Sequence, residues 1–328
     1  MARSDQIKAL LRAHASEDSP QFYAVATQVA ADEARRGHTR LAAELRELID
    51  AAKVKANSPR TVRPTPLAQP KGELVDLLSV KYPSDRLSQM VLTDDVRTKL
   101  DRILREQREV ERLKAHDLAP RRKILLVGRP GTGKTMTAGA LAGELRLPLF
   151  TVRFDSLITK FMGESSSKLR LVFDALKQTR GVYFFDEFDS LGLQRGSQHD
   201  VAEMRRTLNM FLQLLDQDDS DSLILAATNH AKDLDVALFR RFDDVVRYAV
   251  PNAEQIEQLL RNRLASYVAV SFNFERLTSA AEGQSQAEIS RACIDTIKDT
   301  ILNGEGVVSE DSVIAHLSER AHNQFHDF

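Results

Sequence analysis

The residues with the clearest chemical potential form one glycine-rich segment, Gly128-Arg129-Pro130-Gly131-Thr132-Gly133-Lys134-Thr135. It follows an apolar run at 124–127 and precedes an Ala/Leu-rich stretch, so it matches the pattern G-x-x-x-x-G-K-[ST] in a strand–loop–helix context. Glycines let backbone N–H groups surround an anion without Cβ clashes, and the helix N-terminus adds partial positive charge. The segment therefore predicts a phosphate-binding loop, with an ordinary glycine-rich turn as the alternative.

Side chains in and after this loop have separate predicted roles. Lys134 is expected to reach the β- and γ-phosphates of a nucleotide, and the Thr135 hydroxyl is expected to bind Mg²⁺. The predicted nucleotide contacts are Gly128, Pro130, Gly131, Thr132, Gly133, Lys134, Thr135, Met136 and Asp186.

Two adjacent acids, Asp186 and Glu187, follow four apolar residues at 182–185. This order places both carboxylates at the C-terminal end of a central strand, where open α/β sheets bind ligands. Asp186 is expected to hold Mg²⁺ through water, and Glu187 to act as general base on an attacking water. A strand that simply runs into an acidic turn is the alternative.

The elements that position these motifs alternate between short β-like runs and helical patterns. The runs lie at 124–127, 149–152, 182–185, 223–227 and 245–250, and a helix is predicted from 94 to about 113. Such alternation predicts an α/β fold with a parallel sheet covered on both faces. After Pro251 only helical patterns remain, at about 253–266, 285–302 and 310–320, which predicts a smaller helical domain.

The N-terminal region has a different character. Apolar spacing in the first 55 or so residues predicts three short helices, and residues 57–72 contain four of the ten prolines, which predicts a stiff linker. The predicted domains are therefore a helical interaction domain at 1–56, a linker at 57–72, a large α/β domain at 73–250 and a helical lid at 251–328.

Composition argues against several classes of protein. The 328 residues carry 46 Lys+Arg and 47 Asp+Glu, a net charge of −1, which provides no basic footprint for sequence-specific nucleic-acid binding, although this average is compatible with a local basic patch. No apolar run approaches the ~18 residues that a membrane span needs. The single cysteine, Cys293, excludes an internal disulfide and a cysteine-based zinc cluster. A polar N-terminus without an apolar signal segment predicts a cytoplasmic location.

These motifs and their order resemble the AAA ATPases over roughly Leu87 to Ala321. The resemblance implies ATP and Mg²⁺ as cofactors, and a role for Asn229 in orienting the attacking water. It also implies that Arg240 and Arg241 reach the nucleotide of a neighbouring subunit, so that the active species is a ring, expected to be a hexamer. A surface cluster in which these arginines pair with Asp243 and Asp244 is the alternative.

One further segment resembles the first pore loop of members that thread polypeptides: Lys160-Phe161-Met162-Gly163. Aromatic and thioether groups contact varied side chains without demanding a specific partner, so Phe161 and Met162 suit that task. A core anchor at a strand–helix corner is the alternative for Phe161. Residues 194–201 resemble a second pore loop by position, and Glu203, Arg205 and Arg206 resemble subunit-interface positions.

The C-terminal region departs from the family in one respect. It reads Gly283-Gln284-Ser285-Gln286-Ala287-Glu288, where relatives often have Gly-x-Ser-Gly-Ala-Asp. Ala287 stands where some clades carry a nucleotide-sensing arginine, so the chain resembles the clade without it. Adenine contacts are expected from the region around Val91 and Leu92 together with the lid.

The resemblance implies a ring that unfolds, threads or remodels a protein partner. Taken as a whole, the chain also resembles bacterial AAA ATPases encoded beside subtilisin-like serine proteases in defence and plasmid-maintenance gene pairs. That similarity rests on the helical start, on Glu106-Gln107 and on the string Arg240-Arg241-Phe242-Asp243 without an intervening Pro-Gly. Two alternatives stay open: an ATP-dependent assembly switch that controls its partner without threading, and a nucleic-acid motor or loader.

Overall fold

The computed structural model describes residues 69–157, 164–188, 198–230, 236–268, 272–303 and 307–324, together with Ala26. The predicted N-terminal helices, most of the predicted linker and the predicted pore segment (Lys160, Phe161, Met162 and Gly163) lie outside these ranges. The chain divides into two units, Met1–Arg63 and Pro64–Phe328, and the second contains the elements described below. The four segments expected from the sequence, and the three boundaries between them, stay predictions.

A six-stranded sheet forms the centre of this second unit. Its strands are β1 (Leu78–Lys81), β2 (Lys123–Gly128), β3 (Leu149–Val152), β4 (Val182–Phe185), β5 (Leu223–Thr228) and β6 (Asp244–Tyr248). The spatial order is β1-β3-β4-β5-β2-β6. The pairs β3–β4, β4–β5, β5–β2 and β2–β6 are parallel, and only β1 pairs antiparallel, with β3. The predicted parallel sheet is confirmed, and β1 is an additional edge strand.

Helices precede, separate and follow the strands. They are α1 (Leu74–Leu77), α2 (Asp94–Arg108), α3 (Val110–Lys114), α4 (Lys134–Leu145), α5 (Phe154–Leu157), α6 (Glu164–Gln178), α7 (Gln198–Gln217), α8 (Val236–Phe239), α9 (Ala253–Leu264), α10 (Phe274–Ala280), α11 (Gln286–Leu302) and α12 (Glu310–Gln324). The single helix predicted to run to about residue 113 is two helices, because the backbone leaves helical geometry at Glu109 (φ −104°, ψ 24°). None of the helices in the described ranges has the length and apolarity needed to cross a membrane.

The sheet is covered on both faces, as the alternation of elements predicts. Consecutive strand residues point to opposite faces, so Phe184 belongs to one apolar cluster and Phe185 to the other, and both are fully buried. Phe185 packs edge-on against Phe211 of α7, with ring centroids 5.0 Å apart. The opposite cluster contains Leu100 of α2 and Leu141 of α4. These two layers fix the strand ends from which the site residues project.

The helices α9 to α12 share a third apolar cluster, which also contains Val91 and the buried Cys293. Asn252 caps α9, since its side chain accepts the N–H of Gln255, and Ser285 caps α11 by accepting the N–H of Glu288. Three of the four helices match the predicted helical patterns. Helix α10, of seven residues, was not predicted because so short a segment shows little periodicity.

Candidate active site

The phosphate loop joins β2 to α4 along the path that the sequence predicts. Gly128 ends β2 beside β6, where a Cβ atom would lie only 2.8 Å from the Tyr248 Cβ and carbonyl oxygen. Gly131 has φ +75°, and a Cβ there would lie 2.5 Å from the Ser285 hydroxyl. Both positions therefore require glycine, one because of a neighbouring strand and the other because of its backbone and the adjacent lid.

Lys134 extends its ammonium group back along the loop. Its Nζ donates to the carbonyl oxygens of Gly128 (2.7 Å) and Arg129 (3.0 Å) and to Oδ1 of Asn229 (2.7 Å). The residue is only 7% exposed. The structure thus brings together the two residues expected to bind and sense the terminal phosphate, and it places a cationic charge inside the loop where anionic oxygen atoms can contact it.

Thr135 and Asp186 form the predicted magnesium-binding pair. The Thr135 hydroxyl donates to Oδ2 of Asp186 at 2.9 Å, and the N–H of Glu187 donates to Oδ1 of Asp186 at 3.0 Å. Hydroxyl and carboxylate oxygen atoms are suitable ligands for Mg²⁺, which otherwise keeps water and phosphate oxygens. The donor set therefore fits one Mg²⁺ ion bound together with a nucleotide.

Glu187 follows Asp186 at the end of β4 and has a left-handed backbone, with φ +51°. For a non-glycine residue this conformation costs on the order of 1 kcal/mol or more, and such residues concentrate at functional sites. The residue is exposed. Its carboxylate is thus available to a water molecule in the cavity, as a general base must be.

One cavity of about 420 Å³ contains most of the predicted site, a volume typical of small-molecule sites. Its lining from the predicted set comprises Pro130, Gly131, Gly133, Lys134, Thr135, Met136, Asp186, Glu187 and Asn229. Gly128 and Thr132 do not line it. Thr132 is 1% exposed and its hydroxyl donates to the carbonyl of Arg129 at 2.8 Å, so its side chain holds the shape of the loop.

The rest of the lining comes from the segment before α2 and from the lid: Gln89, Met90, Val91, Leu259, Arg263, Gln286, Ala287 and Ser290. Val91 was expected here, whereas Leu92 packs with the α2–α4 core instead. Most of the lid residues were not predicted. The nearest signal in the sequence was the departure from the family pattern at Gln286.

The lid contacts the phosphate loop directly. The N–H of Ala287 donates to the carbonyl of Gly131 at 3.0 Å, and the Gln286 side chain donates to the carbonyl of Val91 at 2.9 Å. Both donors lie in the first turn of α11, next to its cap. The position of α11 is therefore tied to the loop and to the predicted adenine-binding segment at once.

Arg240 and Arg241 do not line the cavity of their own chain. Arg241 forms an ion pair with Asp216 at the end of α7, with Nε and Oδ2 2.8 Å apart, and Arg240 is exposed. Within the described part of the chain, Arg240 and Arg241 form no ion pair with Asp243 or Asp244, which was the alternative expected for them. Asp243 instead accepts the backbone N–H groups of Arg122 and Lys123, at 2.8 and 2.9 Å.

Comparison with known proteins gives the class. The family model described as "ATPase family associated with various cellular activities (AAA)" matches residues 124–250. An uncharacterized AAA family ATPase of Sinorhizobium fredii, y4kL, is 33% identical over 98% of this chain and 96% of the relative. The chain belongs to the AAA family, and it is an ATP-hydrolysing enzyme.

Two further relatives have more specific names. The ATP-dependent zinc metalloprotease FtsH 2 of Bdellovibrio bacteriovorus is 36% identical over 60% of this chain and 35% of its own length. A putative 26S proteasome regulatory subunit homolog of Methanothermobacter marburgensis is 29% identical over 69% of this chain and 62% of its own. The chain thus spans about a third of the metalloprotease and less than two thirds of the proteasome subunit homolog.

Proposed function

We propose that this chain is the subunit of an ATP-driven ring that remodels a protein partner. The observation that carries the proposal is the meeting of five predicted residues in one cavity: Lys134, Thr135, Asp186, Glu187 and Asn229. Each has the side-chain chemistry that the hydrolysis of Mg-ATP needs. Two pairs of them are hydrogen-bonded to each other, Lys134 with Asn229 and Thr135 with Asp186.

In this proposal each of the five residues has a separate task in binding and hydrolysing ATP. Lys134 and the backbone N–H groups of the loop hold the β- and γ-phosphates, and Thr135 and Asp186 hold Mg²⁺, which neutralises charge on the phosphates. Asn229 orients the attacking water, and Glu187 accepts its proton. A neutral amide and an anionic carboxylate suit these two tasks, because only the carboxylate gains a proton readily.

Arg240 and Arg241 complete the site of a neighbouring subunit. Since they do not line the cavity of their own chain, a nucleotide that they contact belongs to another chain. A guanidinium group matches phosphate in bidentate geometry and stabilises the transition-state charge. The assembly proposed is a homo-hexameric ring.

The client of the ring is a protein. Support comes from the relatives named as an ATP-dependent metalloprotease and as a proteasome regulatory subunit homolog. Phe161 and Met162, with Lys160 and Gly163 beside them, are proposed to grip an extended polypeptide in the pore. The specific partner proposed is a subtilisin-like serine protease, in a defence or toxin–antitoxin-like pair in the cytoplasm.

The decisive experiment compares two variants captured from the native host with ATP present and analysed by mass spectrometry. Glu187→Gln is expected to hold ATP and to retain its partner, whereas Lys134→Ala is the nucleotide-free control. Selective enrichment of a serine protease with Glu187→Gln supports the proposed pair. A broad set of unrelated proteins indicates a general unfoldase, and enrichment of nothing contradicts a stable protein partner.

Threading is tested separately from hydrolysis. Phe161→Ala is expected to keep ATP hydrolysis and to lose remodelling of the captured partner. Remodelling that survives this substitution contradicts the pore model. An effect on the partner that a nonhydrolysable nucleotide reproduces in full would instead indicate an assembly switch.

A further inference from the structure

Tyr248, the last residue of β6, lies beside the start of the phosphate loop. It pairs in register with Gly128, the last residue of β2. The approach is so close that Gly128 has no room for a side chain next to the Tyr248 Cβ. The backbone of Tyr248 therefore flanks one end of the loop.

The hydroxyl of Tyr248 reaches the other end of the loop. It lies 2.7 Å from the Thr137 hydroxyl in α4, and both residues are buried. Thr137 in turn donates its hydroxyl proton to the carbonyl of Gly133 at 3.0 Å. Because threonine has a single hydroxyl proton, Tyr248 is the donor in the first of these bonds. Burial raises the pKa of Tyr248, so the phenol keeps that proton at physiological pH.

This relay fixes one peptide group of the phosphate loop. The carbonyl of Gly133 accepts both the Thr137 hydroxyl and the Thr137 N–H, the latter at 2.9 Å. In a trans peptide the C=O and N–H groups point in opposite directions. The carbonyl is held toward α4, and the N–H of Lys134 consequently points toward the N-terminal end of the helix, where phosphate oxygens bind.

We propose that Tyr248 is a positioning residue of the nucleotide site, which acts through Thr137 to orient the peptide between Gly133 and Lys134 toward the bound phosphates. The inference rests on the proposed function, since it requires a nucleotide at the loop. Tyr248 does not line the nucleotide cavity, so it acts on the site only through Thr137. Its contribution is to keep a backbone donor in place before the nucleotide arrives, so that binding need not order it.

The position of β6 in the chain extends this role to the lid. Five residues after Tyr248, beyond Pro251 and the cap residue Asn252, the chain enters α9 at Ala253. Leu259 and Arg263 of that helix line the nucleotide cavity. The residue that holds the phosphate loop therefore also ends the strand that leads into the lid.

If the Tyr248 hydroxyl had a purely structural role, its removal would lower stability and leave nucleotide affinity unchanged. Tyr183 is the matched control for that case. Tyr183, on β4, is also fully buried, and its hydroxyl lies 3.0 Å from the carbonyl oxygen of Ala175 and 3.1 Å from that of Thr179, so its single proton is donated to these two acceptors in a shared hydrogen bond. It does not line the nucleotide cavity. Removal of this hydroxyl is expected to lower stability without changing nucleotide affinity.

The test measures two quantities for the full-length chain. One is the Kd for the Mg²⁺ complex of ATPγS, a slowly hydrolysed ATP analogue, and the other is the melting temperature of the chain without nucleotide. Tyr248→Phe and Thr137→Val are each expected to raise Kd about fivefold, the value of one hydrogen bond. The double variant is expected to bind no more weakly than Thr137→Val, because both substitutions break the same relay. Thr137→Ser, which keeps the hydroxyl, is expected to bind as the wild type does.

The outcomes separate the hypotheses. A Tyr248→Phe chain that binds with wild-type affinity and only melts at a lower temperature, as expected for Tyr183→Phe, overturns the proposal. If Tyr248→Phe does not fold, equal affinities of Thr137→Val and Thr137→Ser overturn it. A wild-type chain that binds no nucleotide overturns the proposed function instead, so the two failures are distinguishable.

Discussion

The ammonium of Lys134 donates to the amide oxygen of Asn229 at 2.7 Å, although the two residues are 95 positions apart in the chain. Their strands explain the contact. Lys134 follows β2 and Asn229 follows β5, and these strands are parallel neighbours, so their C-terminal ends meet at one edge of the sheet. The cation that is expected to bind phosphate is thus already in contact with the amide that is expected to orient the water.

This contact predicts different effects for two substitutions of Asn229. Asn229→Ala is expected to keep ATP affinity within a few-fold and to lower kcat by about 10²-fold, because a polar group at the transition state is lost. Asn229→Asp is expected to weaken ATP binding more, since a carboxylate beside Lys134 competes with phosphate for the ammonium. Calorimetry and phosphate release measure the two quantities, and equal ATP affinities for both variants contradict the prediction.

Substitution of Glu187 should separate binding from hydrolysis. Glu187→Gln keeps the size of the side chain but cannot take a proton, so kcat is expected to fall by about 10²–10⁴-fold while the Kd for ATP stays near the wild-type value. Glu111→Gln, at an exposed position of α3, is the matched control and should hydrolyse ATP normally. Substantial turnover by Glu187→Gln would remove Glu187 as the general base.

The hydrogen bond from Gln286 to Val91 predicts an effect on nucleotide release. Gln286→Ala removes a contact of about 1 kcal/mol between the lid and the adenine-side segment, so ADP is expected to dissociate about fivefold faster. Stopped-flow fluorescence of a labelled ADP measures the rate. Gln258→Ala, on the exposed face of α9, is the control. An unchanged rate for Gln286→Ala would show that this bond does not hold the lid.

The two arginines predict activity that depends on a neighbour. Arg240→Ala or Arg241→Ala is expected to lower kcat by roughly 10³-fold. The control is Arg180→Ala, at an exposed position outside the site, which should leave kcat unchanged. In the proposed ring, an Arg240 or Arg241 variant keeps an intact nucleotide site and lacks only the arginine that it would supply to its neighbour. Mixing with Lys134→Ala subunits, which have intact arginines but a defective site, should therefore restore hydrolysis, and a failure to do so counts against action between subunits.

The class of fold was readable from the sequence because its strands are short, apolar and separated by helical patterns. Residues such as Phe184 and Phe185 are buried on both faces of the sheet and leave an unbroken apolar run. Strand β1 lacked that signal: as an edge strand it reads Leu-Ser-Val-Lys, with only its first residue fully buried. Edge positions tolerate polar residues, so pattern alone does not find them.

The candidate site was predictable where chemistry fixes both residue type and spacing, as it does from Gly128 to Thr135. It was not predictable where a contact joins distant parts of the chain. The bond between Tyr248 and Thr137 spans 111 positions, and the Gln286–Val91 bond spans 195. Tyr248 belongs to no motif, and nothing in the pattern around Gln286 points to Val91. Only the folded structure therefore shows that the first bond lies beside the phosphate loop and the second at the cavity.

The burial of Cys293 has a practical consequence for experiments that label this chain at cysteine. The only thiol of the chain is buried in the lid core, and burial raises its pKa to about 12. Since the thiolate is the reactive form, this cysteine should resist maleimide reagents at neutral pH in the folded protein. The natural sequence thus serves as its own background for attaching a fluorophore or cross-linker at one introduced cysteine, with which movement of the predicted lid and assembly of the proposed ring can be measured.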